Sequence, residues 1–122
     1  MPAKPPIPIL RSFDEATAKA FYIGFLGFTV DWEHRFAPDL PLYFQVSMQC
    51  CILHISEHFG DASPGSHVRI AIDDVVGYCT LLNEKKYRNA RPGVENMPWG
   101  TTDMTIGDPF GNRLTFYTEA KK

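Results

Sequence analysis

The chain runs through the same order of elements twice. A short apolar strand, a capped amphipathic helix and a set of alternating strands fill the first half. The same succession returns in the second half at a spacing of about 60 residues, as a repeat of structure type rather than of residue identity. Ile7 to Arg11 predicts a strand that follows the proline-rich stretch Pro2 to Pro8. Pro8 cannot donate to a ladder, which restricts that strand to a sheet edge or to exchange with a partner. Ser12-Phe13-Asp14-Glu15 is a capping-box pattern with Asp14 as the alternative cap. It opens a helix over Glu15 to Leu26, with Ala16, Ala20, Phe21, Ile23 and Leu26 as its apolar face and Gly27 as its stop. Thr29 to Phe36 then alternates, placing Val30, Trp32, His34 and Phe36 on one side and Thr29, Asp31, Glu33 and Arg35 on the other. Leu42 to Met48 and Cys50 to Ser56 predict two more strands joined by a tight turn, and the stretch His58 to Ser66 predicts a loop.

The second half opens with a strand over His67 to Asp73. Asp73 or Asp74 caps a helix over about Val75 to Tyr87, with the core stripe Val75, Cys79 and Leu82. A polar segment, Arg88 to Pro98, holds a short strand near Val94. Thr101 to Ile106 and Gly111 to Thr118 are strands flanking the turn Gly107-Asp-Pro-Phe-Gly-Asn112, in which Pro109 suits the i+1 position and Gly111 a positive φ. The expected class is α+β: two βαβββ modules, about 1–57 and about 67–122, within one domain of residues 1–122. A sheet covered on one face by its own helix leaves the other face free, so two such sheets can curve around a cavity as one mixed sheet.

Composition narrows the function classes. Apolar residues at 44% and charged residues at 21% describe a globular chain rather than a disordered one. Twelve basic residues against fourteen acidic ones leave a net charge of −2, with no basic footprint for nucleic acid. The stretch Ala16 to Val30 is broken by Lys19, Gly24 and Gly27 and is too short for a membrane span. The opening Met1-Pro-Ala-Lys-Pro-Pro lacks the apolar run of a secretion leader. The three cysteines show no metal-type spacing, and adjacent Cys50 and Cys51 point to opposite faces of a strand. Free thiols in a reducing, cytoplasmic setting are expected.

Several stretches resemble one family. Asp14 with Phe21, Tyr22, Leu26, Gly27 and Phe28 is similar to the first helix and turn of the vicinal oxygen chelate superfamily. That group includes glyoxalase I, extradiol dioxygenases, fosfomycin-resistance enzymes and bleomycin-resistance proteins. His67, Val68, Ile70, Ile72, Asp73 and Asp74 resemble the strand that opens its second module, and Asp108-Pro-x-Gly-Asn112 resembles its closing hairpin. Within the superfamily the chain most resembles the bleomycin-resistance proteins. Pro6-Ile7-Pro8-Ile9-Leu10 is similar to the arm that such proteins exchange across a dimer, and Pro98-Trp99-Gly100 to the loop before their seventh strand. The resemblance implies a homodimer with exchange of the N-terminal strand, with Pro6 and Pro8 in the dimer arm.

Metal-using members of the superfamily hold one divalent ion with four side chains from the first and last strands of the two modules. Carried over by position, those places fall on Ile7, His54, His67 and Thr115. Isoleucine offers no donor and threonine a poor one, so no metal and no other cofactor is expected. A divalent ion at His54 and His67, completed by water or by Glu57, is the open alternative. It would make the protein a glyoxalase-like lyase or isomerase, or a ring-cleaving dioxygenase. The main reading implied is a metal-independent protein that sequesters a small hydrophobic or aromatic molecule, such as a bleomycin-type antibiotic. The candidate ligand-binding residues are Trp32, His34, Phe36, His54, His67, Arg69, Trp99, Arg113 and Thr115. Trp99 is the expected stacking platform. The acidic residues near the presumed groove are Asp31, Glu33, Asp61, Glu95 and Asp103, but the modest net charge and the basic Arg35, Arg69 and Arg113 near the same surfaces favour an anionic or neutral guest over a cationic one.

Overall fold

The computed structural model describes residues 2–88 and 90–119. Met1, Asn89 and residues 120–122, which fall within the opening stretch, the polar segment and the last module, lie outside the described residues. The chain divides into two compact units, Met1–Pro64 and Gly65–Lys122. The first contains β1 (Ile9–Arg11), α1 (Glu15–Lys19) continued by a π-helical segment (Ala20–Phe25), β2 (Thr29–His34), β3 (Tyr43–Met48) and β4 (Cys51–Ser56). The second contains β5 (His67–Ala71), α2 (Val75–Glu84), β6 (Glu95–Asn96), β7 (Thr101–Gly107) and β8 (Arg113–Glu119). Each unit carries a four-stranded sheet, in the orders β1-β4-β3-β2 and β5-β8-β7-β6. In both, the strand before the helix pairs parallel with the last strand, and the other pairings are antiparallel. The fold is therefore α+β with two modules of one βαβββ plan.

In the first unit β1 starts two residues later than expected, with Pro8 just outside it. The missing N–H of Pro8 costs nothing there, and its carbonyl accepts the amide of His54 at 3.0 Å. Asp14, not Ser12, caps the helix, its carboxylate accepting the Thr17 amide at 2.9 Å. The Ser12 amide is already committed to the carbonyl of Ser56. The buried stripe is Ala18, Phe21, Tyr22, Phe25 and Leu26, an i, i+3, i+4, i+7, i+8 pattern. The expected Ala16 and Ala20 face outward, and Ile23 is half-buried.

The helix is also not α throughout. Over Ala20–Phe25 it widens to a π turn, and the Leu26 amide reaches back five residues to the Phe21 carbonyl. The wider turn keeps both bulky pairs, Phe21–Tyr22 and Phe25–Leu26, on the buried side. Phe21 and Tyr22 meet edge to face at 5.0 Å. Gly27 ends the segment at φ +92°, a conformation that strains any residue with a Cβ. Phe28, Phe44, Val46, Leu53 and Ile55 complete this core. Each such side chain withdrawn from water contributes on the order of 1.5–3 kcal/mol.

One irregularity sets the faces of β2. Val30 pairs with Val46 and Trp32 with Gln45, so Asp31 is an extra residue, a β-bulge. The expected alternation breaks there. Val30 shares the helix-covered side of Val46, whereas Trp32 and His34 share the opposite side with Gln45 and Tyr43. Asp31 also turns to that opposite side, where its carboxylate accepts from Gln45 and Ser47. Glu33 and Arg35 lie on the helix side, bound to Lys19 and Glu15 respectively.

In the second unit Val75, Cys79 and Leu82 form the expected buried stripe. Asp74 caps α2 through the Gly77 amide at 2.9 Å. The helix stops at Glu84, short of Tyr87, because Lys86 turns to φ +52°. Tyr78 packs edge to face on Phe116 at 5.1 Å. The short strand near Val94 is β6. No helix among the described residues is long and apolar enough to cross a membrane.

The β7–β8 hairpin explains its own sequence. Asp108 Oδ1 accepts the amides of Phe110 and Asn112, both at 2.8 Å, and Oδ2 accepts the Asn112 side-chain amide at 2.9 Å. Both residues are buried, so these bonds are not exchangeable for water. Asp108→Ala should lower unfolding free energy by about 2–3 kcal/mol, the scale of lost charge-assisted bonds to buried donors. Urea denaturation measures it, and a loss below the error of the midpoint would contradict the account of the turn.

Candidate ligand-binding site

On the face of the first sheet that turns away from its helix, three strands bring aromatic and polar side chains together. Trp32 and Tyr43 stack with ring centroids 6.0 Å apart and planes 13° apart. The His54 ring meets both edge to face, at 5.2 Å from each. Further along, His34 and Phe36 make an edge-to-face pair at 4.5 Å, and Phe36 meets His58 at 5.8 Å. These rings border a cavity of about 450 Å³ lined by Trp32, His34, Phe36, Tyr43, His58 and Asp61. That volume accommodates a small planar molecule. Trp32 and Phe36 remain 43% and 74% exposed, so their ring faces are available to a guest.

Sequence reasoning named Trp32, His34 and Phe36 and put Asp61 near the groove, but missed Tyr43 and His58. Tyr43 could have been found, because it lies directly across the hairpin from His34. His58 and Asp61 come from a loop with no periodicity. The loop is ordered by local bonds: the Ser56 hydroxyl donates to Asp61 at 2.6 Å and accepts the His58 amide at 3.1 Å.

His54 touches two of the lining rings, Trp32 and Tyr43, and is hydrogen-bonded within the sheet. Its Nδ1 lies 2.6 Å from the Tyr43 hydroxyl and its Nε2 2.9 Å from Gln45 Oε1. Burial pushes its pKa below the ordinary imidazole value, which favours the neutral ring. Burial likewise raises the Tyr43 phenol, with a smaller contribution from Asp61.

The second sheet's corresponding face is polar. His67 Nε2 lies 2.7 Å from the Thr115 hydroxyl, which is also 2.7 Å from that of Thr105. Arg69 donates to Asp103 at 2.9 Å and lies over the Tyr117 ring at 4.4 Å. Arg113 is exposed, beside His67 in the register. Trp99 is 63% exposed at the tip of the β6–β7 hairpin. There Pro98 sits at i+1 of a turn closed by the Gly100 amide on the Met97 carbonyl, and Gly100 takes φ +99°.

The four carried-over chelate positions do not make a set of metal donors. Ile7 has none. Both ring nitrogens of His54 already have partners, and the Thr115 hydroxyl serves His67 and Thr105. Among the described residues no group of three or more His, Cys, Asp or Glu could hold a metal ion. The residues present do not suit a chelated divalent cation.

The family model described as glyoxalase superfamily protein matches residues 3–122. The chain belongs to that superfamily, the vicinal oxygen chelate group. No curated protein sequence gives a match. Among solved structures, a bleomycin-binding protein complexed with bleomycin is 19% identical, with TM-score 0.73 over 96% of this chain and 99% of that one. TnmS3, an antibiotic-binding protein from Streptomyces sp. CB03234, is 22% identical, with TM-score 0.69 over 98% of this chain and 100% of that one. A glyoxylase/bleomycin resistance protein/dioxygenase domain from Frankia sp. EAN1pec is 13% identical, with TM-score 0.76 over 98% of this chain and 99% of that one. At these identities the likeness is one of fold.

The Arg69–Asp103 pair has a consequence for acid stability. The Arg69 guanidinium beside Asp103, helped by the Thr101 hydroxyl, holds its carboxyl below the usual carboxylate range. A carboxyl lowered in the folded state stabilises above its unfolded pKa, and that contribution is lost as pH falls through the folded value. The urea midpoint should therefore drop on acidification below about pH 4. The drop should be smaller in Asp103→Asn, and smaller for both proteins in high salt because Arg69 is partly exposed. Identical acid limbs for the two proteins would refute it.

Proposed function

We propose that the protein binds a flat, largely apolar small molecule in the aromatic cavity of its first unit and acts by sequestration, without a metal. The observation that carries this reading is the wall of rings, exposed Trp32, His34 and Phe36 with half-buried Tyr43, around a cavity of small-molecule size. Exposed aromatic faces cost solvation in the free protein and gain stacking energy with a planar guest. The fold relatives named for bleomycin binding and antibiotic binding support the same class of ligand. Antibiotic resistance is the role this reading assigns. The candidate contacts His67, Arg69, Trp99, Arg113 and Thr115 belong to the proposal as contributors from the second unit. Asp103 pairs with Arg69, and the cavity's lining includes Asp61 but no Lys or Arg. The charge argument for an anionic guest therefore loses its main support, and a neutral or cationic guest suits the site better.

The reading includes a homodimer in which the N-terminal strand is exchanged around a shared, curved cavity. Three features support it. β1 is a three-residue edge strand; Ile7 before it and Ile9 within it are exposed; and the same β1–β4 bonds can be made between chains. A cytoplasmic location agrees with the free state of Cys50, Cys51 and Cys79.

Two measurements test these proposals. Calorimetric titration with bleomycin and with an acridine dye should show binding of at least one, weakened roughly tenfold by Trp32→Ala and by Trp99→Ala. Unchanged affinity in Trp32→Ala would remove the cavity from the reading, and unchanged affinity in Trp99→Ala would remove the second unit's platform. Sedimentation at micromolar concentration should give twice the chain mass. A monomer would end the exchanged-dimer model.

A further inference from the structure

We propose that Tyr43 sets the selectivity of the aromatic cavity. Asp31 and Gln45, acting through His54, fix the Tyr43 hydroxyl as a hydrogen-bond acceptor toward the guest. The site then selects flat molecules that present an N–H or O–H over isosteres that present a lone pair. This rests on the cavity being the binding site and names the chemistry of what it takes.

The direction of every bond in the chain follows from its far end. A carboxylate only accepts. The two oxygens of Asp31 are met by Gln45 Nε2 at 2.9 Å and the Ser47 hydroxyl at 3.0 Å, so both partners donate. The Gln45 amide is thereby oriented, with its oxygen turned to His54 Nε2 at 2.9 Å. That oxygen cannot donate, so the imidazole carries its proton on Nε2. In a neutral ring the other nitrogen is then bare. Nδ1 accepts, and the Tyr43 hydroxyl donates to it at 2.6 Å. The burial that disfavours the charged imidazole supports the neutral ring.

Tyr43 lines the cavity. Its only proton is spent on His54, so what its oxygen offers a guest is lone pairs. Asp61, the other fixed acceptor on the wall, adds to the same polarity. Trp32 carries a donor, and His34 and His58 can serve either role, so the discrimination falls on Tyr43. A guest with a donor at its edge gains a hydrogen bond. An acceptor there meets lone pairs and leaves its own polar atom unsatisfied.

Indole and benzofuran test this directly, because they share shape and differ in an N–H against an oxygen. In titrations of the full chain followed by NMR, indole should bind roughly three- to tenfold more tightly than benzofuran. Asp31→Asn keeps the shape of Asp31 but can donate to Gln45, which permits the whole chain of bonds to reverse. The ratio should fall to near one in Asp31→Asn and in Tyr43→Phe, and the second variant supplies the readout if the first does not fold. Long-range proton–nitrogen spectra should place the His54 proton on Nε2 in the wild type and give a mixture in Asp31→Asn. A loss of packing alone would weaken both probes equally and leave the ratio in place, which would overturn the assignment. So would equal wild-type affinities, or a His54 proton on Nδ1. If neither probe binds while the proton sits on Nε2, the cavity is not a binding site and the selectivity proposal falls with it. Equal binding of both probes would refute the selectivity alone.

Discussion

The bulge at Asp31 is the constraint on which the candidate site depends. A regular β2 would keep Val30, Trp32 and His34 on one face, either all against the helix or all away from it. With two residues set against Gln45, Val30 joins the core at Val46 while Trp32 and His34 turn away from the helix. The same extra residue delivers the Asp31 carboxylate to Gln45 and Ser47. Its bonds hold the bulge in place and at the same time orient the amide that orients His54. Structure and site are thus stabilised by the same few contacts. This explains how an aromatic wall can keep Trp32 and Tyr43 stacked while both remain partly open to solvent.

What could be read from the sequence, and what could not, divides along physical lines. Features encoded by a local rule were legible. Asp74 and Gly77 mark a helix start, Asp108, Gly111 and Asn112 a hairpin, and Val75, Cys79 and Leu82 a helical stripe, because each rests on bonds or periods spanning a few residues. Features set by packing across the sheet were not. Nothing in Thr29 to His34 announces a bulge: there is no glycine, and the hydrophobic alternation runs on through Asp31. The π turn at Ala20–Phe25 is similarly silent, since it answers to how Phe21, Tyr22, Phe25 and Leu26 seat together in the core. The placement of the remaining lining residues belongs to the same class. Tyr43 becomes a wall residue only through its cross-strand position, and His58 and Asp61 only through a loop ordered by Ser56.

The two modules, each taken by itself, show how one plan yields different surfaces. In both, the first strand pairs parallel with the last, and the register makes positions equivalent: Ile9 pairs with His54 as Arg69 pairs with Thr115. His54 lies across from Gln45, and Thr115 from Thr105. In each module this pair is hydrogen-bonded within the sheet. Counting back two residues, Ile7 holds the place that His67 holds in the second module. A chelate would need donors at these positions to be free and convergent on one ion. Here one is a hydrocarbon, and the others have turned their polar atoms to neighbours on their own sheet.

That internal satisfaction separates the two faces energetically. The second module's His67–Thr115–Thr105 chain and its Arg69–Asp103 pair leave those polar groups with little to gain from a new contact. In the first module Asp31, Gln45, His54 and Tyr43 are likewise paired with one another, but the aromatic rings beside them are not covered. Trp32 and Phe36 expose π faces whose natural complement is another flat, apolar surface. For the proposed guest, affinity should come from that area, and selectivity from the few polar atoms whose direction the sheet has already decided.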